Sequence, residues 1–368
     1  MSCPSENEAT QLISTKAMPL ASHRHISGDR AVAMWLLLCC TLVFCMVVLG
    51  GVTRLTGSGL SMVRWEPVSG VLPPLSQGAW QAEFDHYRES PEYQKVNAGM
   101  SLVQFKTIFY FEYAHRVLGR GIGLVFALGF VWLAWRRRLS RALTPHLIVM
   151  FLLGGLQGLL GWYMVKSGLV DVPHVSQYRL TAHLGAAILI YLYMLWVAFT
   201  LLEGRQAAVV SEGLRRGAVG LGLVALLTVL SGGFVAGLKA GHAFNTFPLM
   251  AGQWIPPGYI TLDPLWRNFF ENIPTVQFNH RVLAICTFAL VLVFALRVVR
   301  DTQLTGQRGP VLLLAGVAVL QVALGISTLL AHVPVALAAA HQGMALALLS
   351  VMLYVIFRLR RTQDARTH

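Results

Sequence analysis

The chain has 368 residues, 55% of them hydrophobic and 12% charged, with a mean hydropathy of +0.60. Soluble domains carry about 25% charged residues, so the composition excludes an ordinary soluble protein and points to one that crosses a membrane repeatedly. The formal net charge of +13 does not indicate a nucleic-acid partner, because the basic residues gather in short segments between apolar runs, which is the footprint of membrane topology.

Residues 1–30 are polar, carry no cleavable signal pattern and read as a cytoplasmic tail. The first apolar run covers 31–52. A long outer loop, 53–107, holds Thr56-Gly-Ser-Gly-Leu-Ser-Met62, then Trp65-Glu-Pro-Val-Ser-Gly-Val-Leu-Pro-Pro74, then a stretch from Gln77 to Val96 that predicts one short amphipathic helix. Further runs cover 108–135, 145–165 and 178–202, followed by a cytoplasmic linker at 203–216. The second set covers 217–238, 277–299, 310–331 and 335–359, with an outer loop at 239–276 and a tail at 360–368. That second loop contains Gly241-His-Ala-Phe-Asn-Thr-Phe-Pro-Leu-Met250. A run of about 20 apolar residues suffices to cross a bilayer about 30 Å thick. The expected fold class is an all-α integral membrane protein whose eight spans form two parallel-repeat four-helix bundles, residues 31–202 and 217–359.

Orientation follows from arginines. Arg136, Arg137, Arg138 and Arg141 lie between the second and third runs, Arg205, Arg215 and Arg216 between the fourth and fifth, and Arg300 and Arg308 between the sixth and seventh. Arg358, Arg360, Arg361 and Arg366 close the chain. Excess Lys and Arg mark cytoplasmic segments, which places both termini in the cytoplasm and both long loops outside.

The chain repeats itself. Glu112-Tyr-Ala-His-Arg-Val-Leu-Gly-Arg120 returns as Gln277-Phe-Asn-His-Arg-Val-Leu-Ala284, and His183-Leu-Gly-Ala-Ala187 returns as His341-Gln-Gly-Met-Ala345. Gly50-Gly51 answers Gly232-Gly233, and Gln157-x-x-Leu-Gly161 answers Gln321-x-x-Leu-Gly325. Four spans per half is an even number, so both halves enter the membrane in the same direction and the repeat is parallel, about an axis along the membrane normal.

Polar residues at membrane depth are functional candidates. His115, His183, His280 and His341 occupy matching places, at roughly 8–10 Å below the outer surface for a rise of 1.5 Å per residue. Two such histidines on different helices of each half suit the opposite faces of a six-coordinate haem, whose iron is held by axial side chains. Zinc or copper would ask for further ligands at tetrahedral spacing. Gly185 and Gly343 would let a flat ring approach the backbone, and Arg116 and Arg281 stand where a propionate could accept a charge-assisted bond. His174, His242 and His332 have no duplicated partner and read as solvent or interface residues, and His23, His25, His86, His146 and His368 as surface residues.

The halves differ at one position that matters. Three residues before His115 stands Glu112; three before His280 stands Gln277. That separation puts each side chain on its histidine's helix face, one turn outward. A partly desolvated carboxyl beside one site can act as acid or base, whereas a mere helix cap would explain Glu112 through the dipole. The first half therefore reads as a reaction site and the second as a holder of a redox group.

On these residues, together with Gly50-Gly-Val-Thr-Arg-Leu-Thr-Gly-Ser-Gly-Leu-Ser-Met62 and Asn245-Thr-Phe-Pro-Leu-Met250, the chain resembles the haem A synthase family, in its longer bacterial–mitochondrial branch, over residues 31 to 360. The resemblance implies oxidation of a methyl substituent of haem O to a formyl group, giving haem A for cytochrome c oxidase. It implies haem b (iron protoporphyrin IX) on His280 and His341 with Arg281, the substrate haem on His115 and His183 with Arg116, and Glu112 as the essential acid. Haem O synthase and oxidase assembly factors are the expected protein partners, membrane lipid the surroundings, and a homo-oligomer is allowed; the bacterial inner membrane is the expected location, ahead of the mitochondrial one. Some members carry a cysteine pair in the first outer loop; here Cys39, Cys40 and Cys45 fall in the first run, Cys286 in the sixth and Cys3 in the tail. The buried cysteines read as small hydrophobes. The rival readings are a bis-histidine b-type cytochrome relaying electrons to or from quinone, and a transporter built on parallel repeats.

Overall fold

The computed structural model describes residues 30–64, 70, 72–168, 175–203 and 210–360. Both tails, residues 65–69 and 71, His174 and Arg205 lie outside the described residues, as do Cys3, His23, His25, Arg361, Arg366 and His368.

In chain order the helices are α1 (Arg30–Leu55), α2 (Gln77–Arg88), α3 (Pro91–Lys95), α4 (Leu102–Trp135), α5 (Thr144–Gly168), α6 (Gln177–Glu203), α7 (Glu212–Gly237), α8 (Asn268–Glu271), α9 (Ile273–Arg300), α10 (Arg308–Leu330) and α11 (Val335–Arg358). Eight of them, all except α2, α3 and α8, are long and apolar enough to cross a membrane. The chain is a multi-pass, all-α membrane protein.

The expected spans are all present, but several helices start earlier than their apolar runs. Ser101 accepts from the Gln104 backbone N–H at 3.4 Å while the Gln104 side chain accepts from the Ser101 N–H at 2.9 Å. This reciprocal cap starts α4 at Leu102 rather than at residue 108. Ser211 caps α7 by accepting from the Leu214 backbone N–H, so part of the expected linker is helical, and Asn272 caps α9. Apolarity marks what lies in the bilayer; capping chemistry marks where the helix begins. The single amphipathic helix expected over 77–96 is two helices, because Ser90 caps a new start and Pro91, which has no backbone N–H to give, takes the first position of α3.

Two hydrophobic cores organise the spans. One is built from α1, α4, α5 and α6, joined by Ala225 of α7 and Leu346 and Leu349 of α11; the other from α7, α9, α10 and α11. Pairings recur between the sets: α1 packs on α4 and α6, and α7 on α9 and α11; α5 packs on α4 and α6, and α10 on α9 and α11. Across the two sets α1 meets α11 and α6 meets α7. Polar bonds stitch this seam: Gln342 Nε2 donates to Val47 O at 2.7 Å, Arg54 to Gly237 O at 2.8 Å, and Tyr354 Oη to Glu203 Oε1 at 2.7 Å. Such bonds average about 0.6 kcal/mol each inside membranes, so they fix register more than they bind. Cys39 and Cys40 are buried as expected, but Cys45 and Cys286 face outward from the helices.

Met62, Trp80, Phe84, Tyr87, Phe105 and Phe109 form a third cluster that folds the α2 and α3 segment over the N-terminal end of α4. In the second outer loop, Asn245 Nδ2 donates to Gly241 O and to Leu329 O, both at 2.9 Å, tying the loop to the end of α10.

At the seam, a Cβ added to Gly237 would lie 2.6 Å from Gln177 Cβ and 2.7 Å from Gln177 Cα. The main-chain atom cannot rotate aside, so overpacking should cost about 1–3 kcal/mol. Gly220, on the same helix, has nothing within 4 Å, and there Ala should gain up to about 1 kcal/mol of helix propensity. In detergent, Gly237→Ala should therefore melt below wild type and Gly220→Ala at or above it. Equal melting of the two variants would contradict this close approach.

Candidate functional site

The four duplicated histidines sit on α4 (His115), α6 (His183), α9 (His280) and α11 (His341), and each packs against a glycine of a neighbouring helix. A Cβ at Gly50 of α1 would stand 3.0 Å from His115 Cε1, and one at Gly161 of α5 2.9 Å from His183 Cε1. The matching values are 3.1 Å for Gly232 of α7 and His280, and 2.8 Å for Gly325 of α10 and His341. Side chains hardly ever pack so tightly, so only glycine leaves room for these rings. His115 lies within electrostatic reach of His183, and His280 of His341. The sequence landmarks Gly50, Gly161, Gly232 and Gly325 are thus the seats of the histidines.

Gly185 and Gly343 have a different place from the one expected. A Cβ at Gly185 would meet Leu230 of α7 at 3.0 Å, and one at Gly343 would meet Val48 of α1 at 3.2 Å. They let the two helix sets approach each other across the seam; they do not open onto a ring. A residue directly after a histidine by two positions points some 200° away around the helix, which is the reason.

Glu112 is 3% exposed and stands deep in α4, far from the first turn that a cap would need. One carboxylate oxygen accepts from Arg116 Nη2 at 2.6 Å and Nε at 3.1 Å. The other accepts from Ser61 Oγ and the Met62 backbone N–H, both at 2.8 Å. A carboxylate offers about four lone-pair sites, and protein donors fill all of them. Two of the four bonds come from the single Arg116 guanidinium, one from a hydroxyl and one from the main chain. Ser61 and Met62 belong to the Thr56–Met62 motif, which turns at Gly57 (φ +66°) and dips back to the carboxylate. Their part in the site was not legible in the sequence; the motif's nearness to Glu112 comes only from the fold.

Arg116, expected to face a propionate, is engaged by the chain itself. Besides Glu112 it donates to Met62 O at 2.9 Å and to Arg64 O at 3.3 Å. Arg281 does the equivalent in the second half, donating to Phe244 O and Thr246 O, each at 2.7 Å. Both arginines anchor an outer loop to the helix that carries a histidine. Gln277, 2% exposed, donates from Nε2 to Phe244 O at 3.0 Å. The two outer loops therefore match their partners: the first offers N–H and O–H donors to an anion, the second a carbonyl to an amide.

Close to Glu112 stands a second acid, Glu92 of α3, 8% exposed. Burial, reinforced by the Glu112 carboxylate, pushes it up to about 7. Tyr87 Oη donates to it at 3.3 Å and in turn accepts from Asn97 Nδ2 at 2.7 Å. The remaining described histidines lie elsewhere. His146 Nδ1 is 2.6 Å from Tyr193 Oη and joins α5 to α6, so it is not the surface residue expected. His86 pairs with Arg64, and His242 and His332 are exposed.

The donor set suits haem iron: imidazoles in pairs, each held by close packing, with the buried Nδ1 atoms of His115 and His183 unpartnered among the described residues. Comparison with known proteins identifies the family. Residues 33–353 match the model of the family described as cytochrome oxidase assembly protein. The chain is 51% identical to a haem A synthase of Nitrosospira multiformis, covering 95% of this chain and 99% of the relative. It is 50% identical to one of Paramagnetospirillum magneticum (91% and 95% covered) and 48% identical to one of Parvibaculum lavamentivorans (91% and 96% covered). The chain belongs to the haem A synthase family of cytochrome oxidase assembly proteins.

Proposed function

We propose that this protein is a haem A synthase, an oxidoreductase that converts a methyl substituent of haem O into the formyl group of haem A during cytochrome oxidase assembly. The observation that carries the reading is the pairing of two glycine-seated histidine sites of which one alone has a carboxylate beside it. A cytochrome that only relays electrons would have no use for that difference.

In this reading the halves are residues 31–202 and 217–359, related as parallel repeats, and they divide the work. His115 and His183 hold the substrate haem. His280 and His341 hold haem b, which when bound supplies a one-electron redox centre for the electrons that leave the methyl carbon. Gly154, Gly155 and Gly158 on the exposed face of α5 stand where α10 carries Ala318, Val319 and Val322. Arg116 and Arg281 keep the outer loops closed over the sites. Glu112 places a fixed negative charge one turn from His115, where the reacting carbon loses electrons, and preorganised charge of this kind lowers a barrier without reorganisation. To accept a proton, Glu112 must first release Ser61 or Arg116. Haem O synthase and oxidase assembly factors are the partners that this chemistry requires, and self-association is compatible with it.

The location that fits is the bacterial inner membrane, with both termini cytoplasmic. A reporter active only outside the cytoplasm should be silent when fused after Arg138 and active when fused after Gly252. The opposite pattern would turn the protein over and move both sites to the cytoplasmic face.

The division of labour is open to direct test. His280→Ala or His341→Ala should strip most b-type haem from the purified protein, because axial ligation loses a partner. His115→Ala or His183→Ala should spare that haem and abolish conversion of haem O. A His280→Ala protein with an unaltered low-spin b spectrum would refute the assignment.

Glu112→Gln keeps the shape but removes the charge that gathers Arg116, Ser61 and Met62. Turnover should fall by about 10²–10³-fold, the range for losing one preorganised electrostatic group, and extracts should accumulate haem O or a partly oxidised alcohol form. The haem b spectrum should persist, since Gln277 already serves the other half. Near-normal production of haem A by this variant would remove Glu112 from the chemistry.

A further inference from the structure

The two sites differ a second time, below the histidines. Ser231 precedes Gly232, the seat of His280, and its Oγ lies 2.8 Å from His280 Nδ1 and 2.7 Å from Thr228 O. With its hydroxyl hydrogen on the Thr228 carbonyl, Oγ is free to accept from the Nδ1–H of His280, and the Thr228 carbonyl is a second acceptor within reach of the same ring. A neutral imidazole with its hydrogen on Nδ1 presents the Nε2 lone pair. Thr228 is itself fixed: its Oγ1 is 2.7 Å from Thr287 Oγ1 and 2.9 Å from Val224 O, while Thr287 bonds Leu283 O at 2.7 Å. A small hydroxyl network thus ties α7 to α9 directly beneath His280.

In the first half none of these groups is present. The places that match Thr228, Ser231 and Thr287 are held by Met46, Leu49 and Ile122. Met46 instead packs toward Gly119 of α4, 3.2 Å from where a Cβ would stand, and the Nδ1 of His115 is buried without a hydrogen-bond partner. His115 and His280 share backbone setting and glycine seat, but only His280 has its tautomer fixed by an acceptor.

We propose that Ser231 is a positioning residue: by accepting the Nδ1–H of His280 it makes that histidine a tight, permanent ligand of the resident haem, and its replacement by Leu49 leaves His115 an exchangeable ligand suited to a substrate that must depart. This rests on the ligation reading given above. Acceptors on the far nitrogen orient a metal-bound histidine and raise its basicity, and their loss typically costs 10–100-fold in metal affinity. A more basic axial ligand also favours the ferric state, so losing the acceptor raises the midpoint potential.

The test uses the full-length protein purified in detergent with its haem b. Release of haem to excess apomyoglobin and the midpoint potential are measured for Ser231→Ala, Ser231→Thr, Ser231→Val and His280→Ala. Ser231→Ala should release haem about 10–100-fold faster and show a raised potential. Thr and Val are nearly isosteric and differ by the hydroxyl, so Thr should behave as wild type and Val as Ala; this pair decides the matter if Ala impairs folding. Equal release rates and potentials for Thr and Val overturn the proposal. His280→Ala separates the two levels: if it loses haem while the Thr and Val variants agree, only the role of Ser231 falls. If His280→Ala keeps its low-spin haem, the ligation reading itself falls.

Discussion

Everything in this fold turns on how closely an imidazole ring can approach the neighbouring helix. A ring projecting from a membrane helix can be aimed at a metal only if its other side is supported, and here each support is a helix backbone left bare by glycine. At Gly50, Gly161, Gly232 and Gly325 a methyl group would collide with the ring's Cε1. Packing of this kind suits a membrane interior, where lipid is as apolar as leucine and association depends on close van der Waals contact between small residues and their neighbours. The same substitution of bulk by glycine holds the halves together, since Gly51 makes space for Gln342 and Gly233 for Thr181. Adjacent glycines on one helix thus serve two ends: the first seats a histidine of its own half, the second admits a side chain of the other.

Duplication explains why the histidine frame is so even, and departures from it explain how two equal frames do unequal work. The departures are few and each is a change of polarity. Glu112 replaces an amide by an anion, and the first outer loop answers with Ser61 O–H and Met62 N–H where the second offers the Phe244 carbonyl. Met46, Leu49 and Ile122 replace hydroxyls beneath the histidine. Glycines on α5 replace Ala318, Val319 and Val322 on α10. The carboxylate of the first half is the more fully bonded of its pair, with four hydrogen bonds against the one from Gln277, whereas next to the histidine the second half holds the bonded hydroxyls.

Much of this was legible in the sequence, and the reasons are physical. The spans follow from apolar length, the histidine pairs from repetition, and the Glu112/Gln277 contrast from aligning one half on the other. What escaped depends on distance in space. Helix starts at Leu102, Glu212 and Ile273 are set by caps at Ser101, Ser211 and Asn272, which hydropathy does not register. Gly185 and Gly343 looked like backs for a flat ring because they stand beside histidines in sequence, yet helix rotation turns them to the seam. The loop carbonyls to which Arg116 and Arg281 donate are distant along the chain, so these contacts come only from the fold. Repetition does not mark Ser231, because its counterpart in the first half is a leucine, Leu49.

A buried carboxylate beside a redox site is costly unless its charge is compensated, and the compensation limits what it can do. Glu112 takes four hydrogen bonds at about four lone-pair sites, so little of the carboxylate is left open to another group. Breaking a buried ion pair by removing one partner typically costs about 3–5 kcal/mol; the Arg116 bond therefore holds the first outer loop as firmly as it holds the charge. Glu92 of α3 is the complementary case: burial, reinforced by the Glu112 carboxylate, pushes it up to about 7, and Tyr87 Oη donates to it at 3.3 Å. Two buried carboxyls within electrostatic reach of each other thus have opposite surroundings, one bonded to a guanidinium and a loop and the other desolvated beside a phenol.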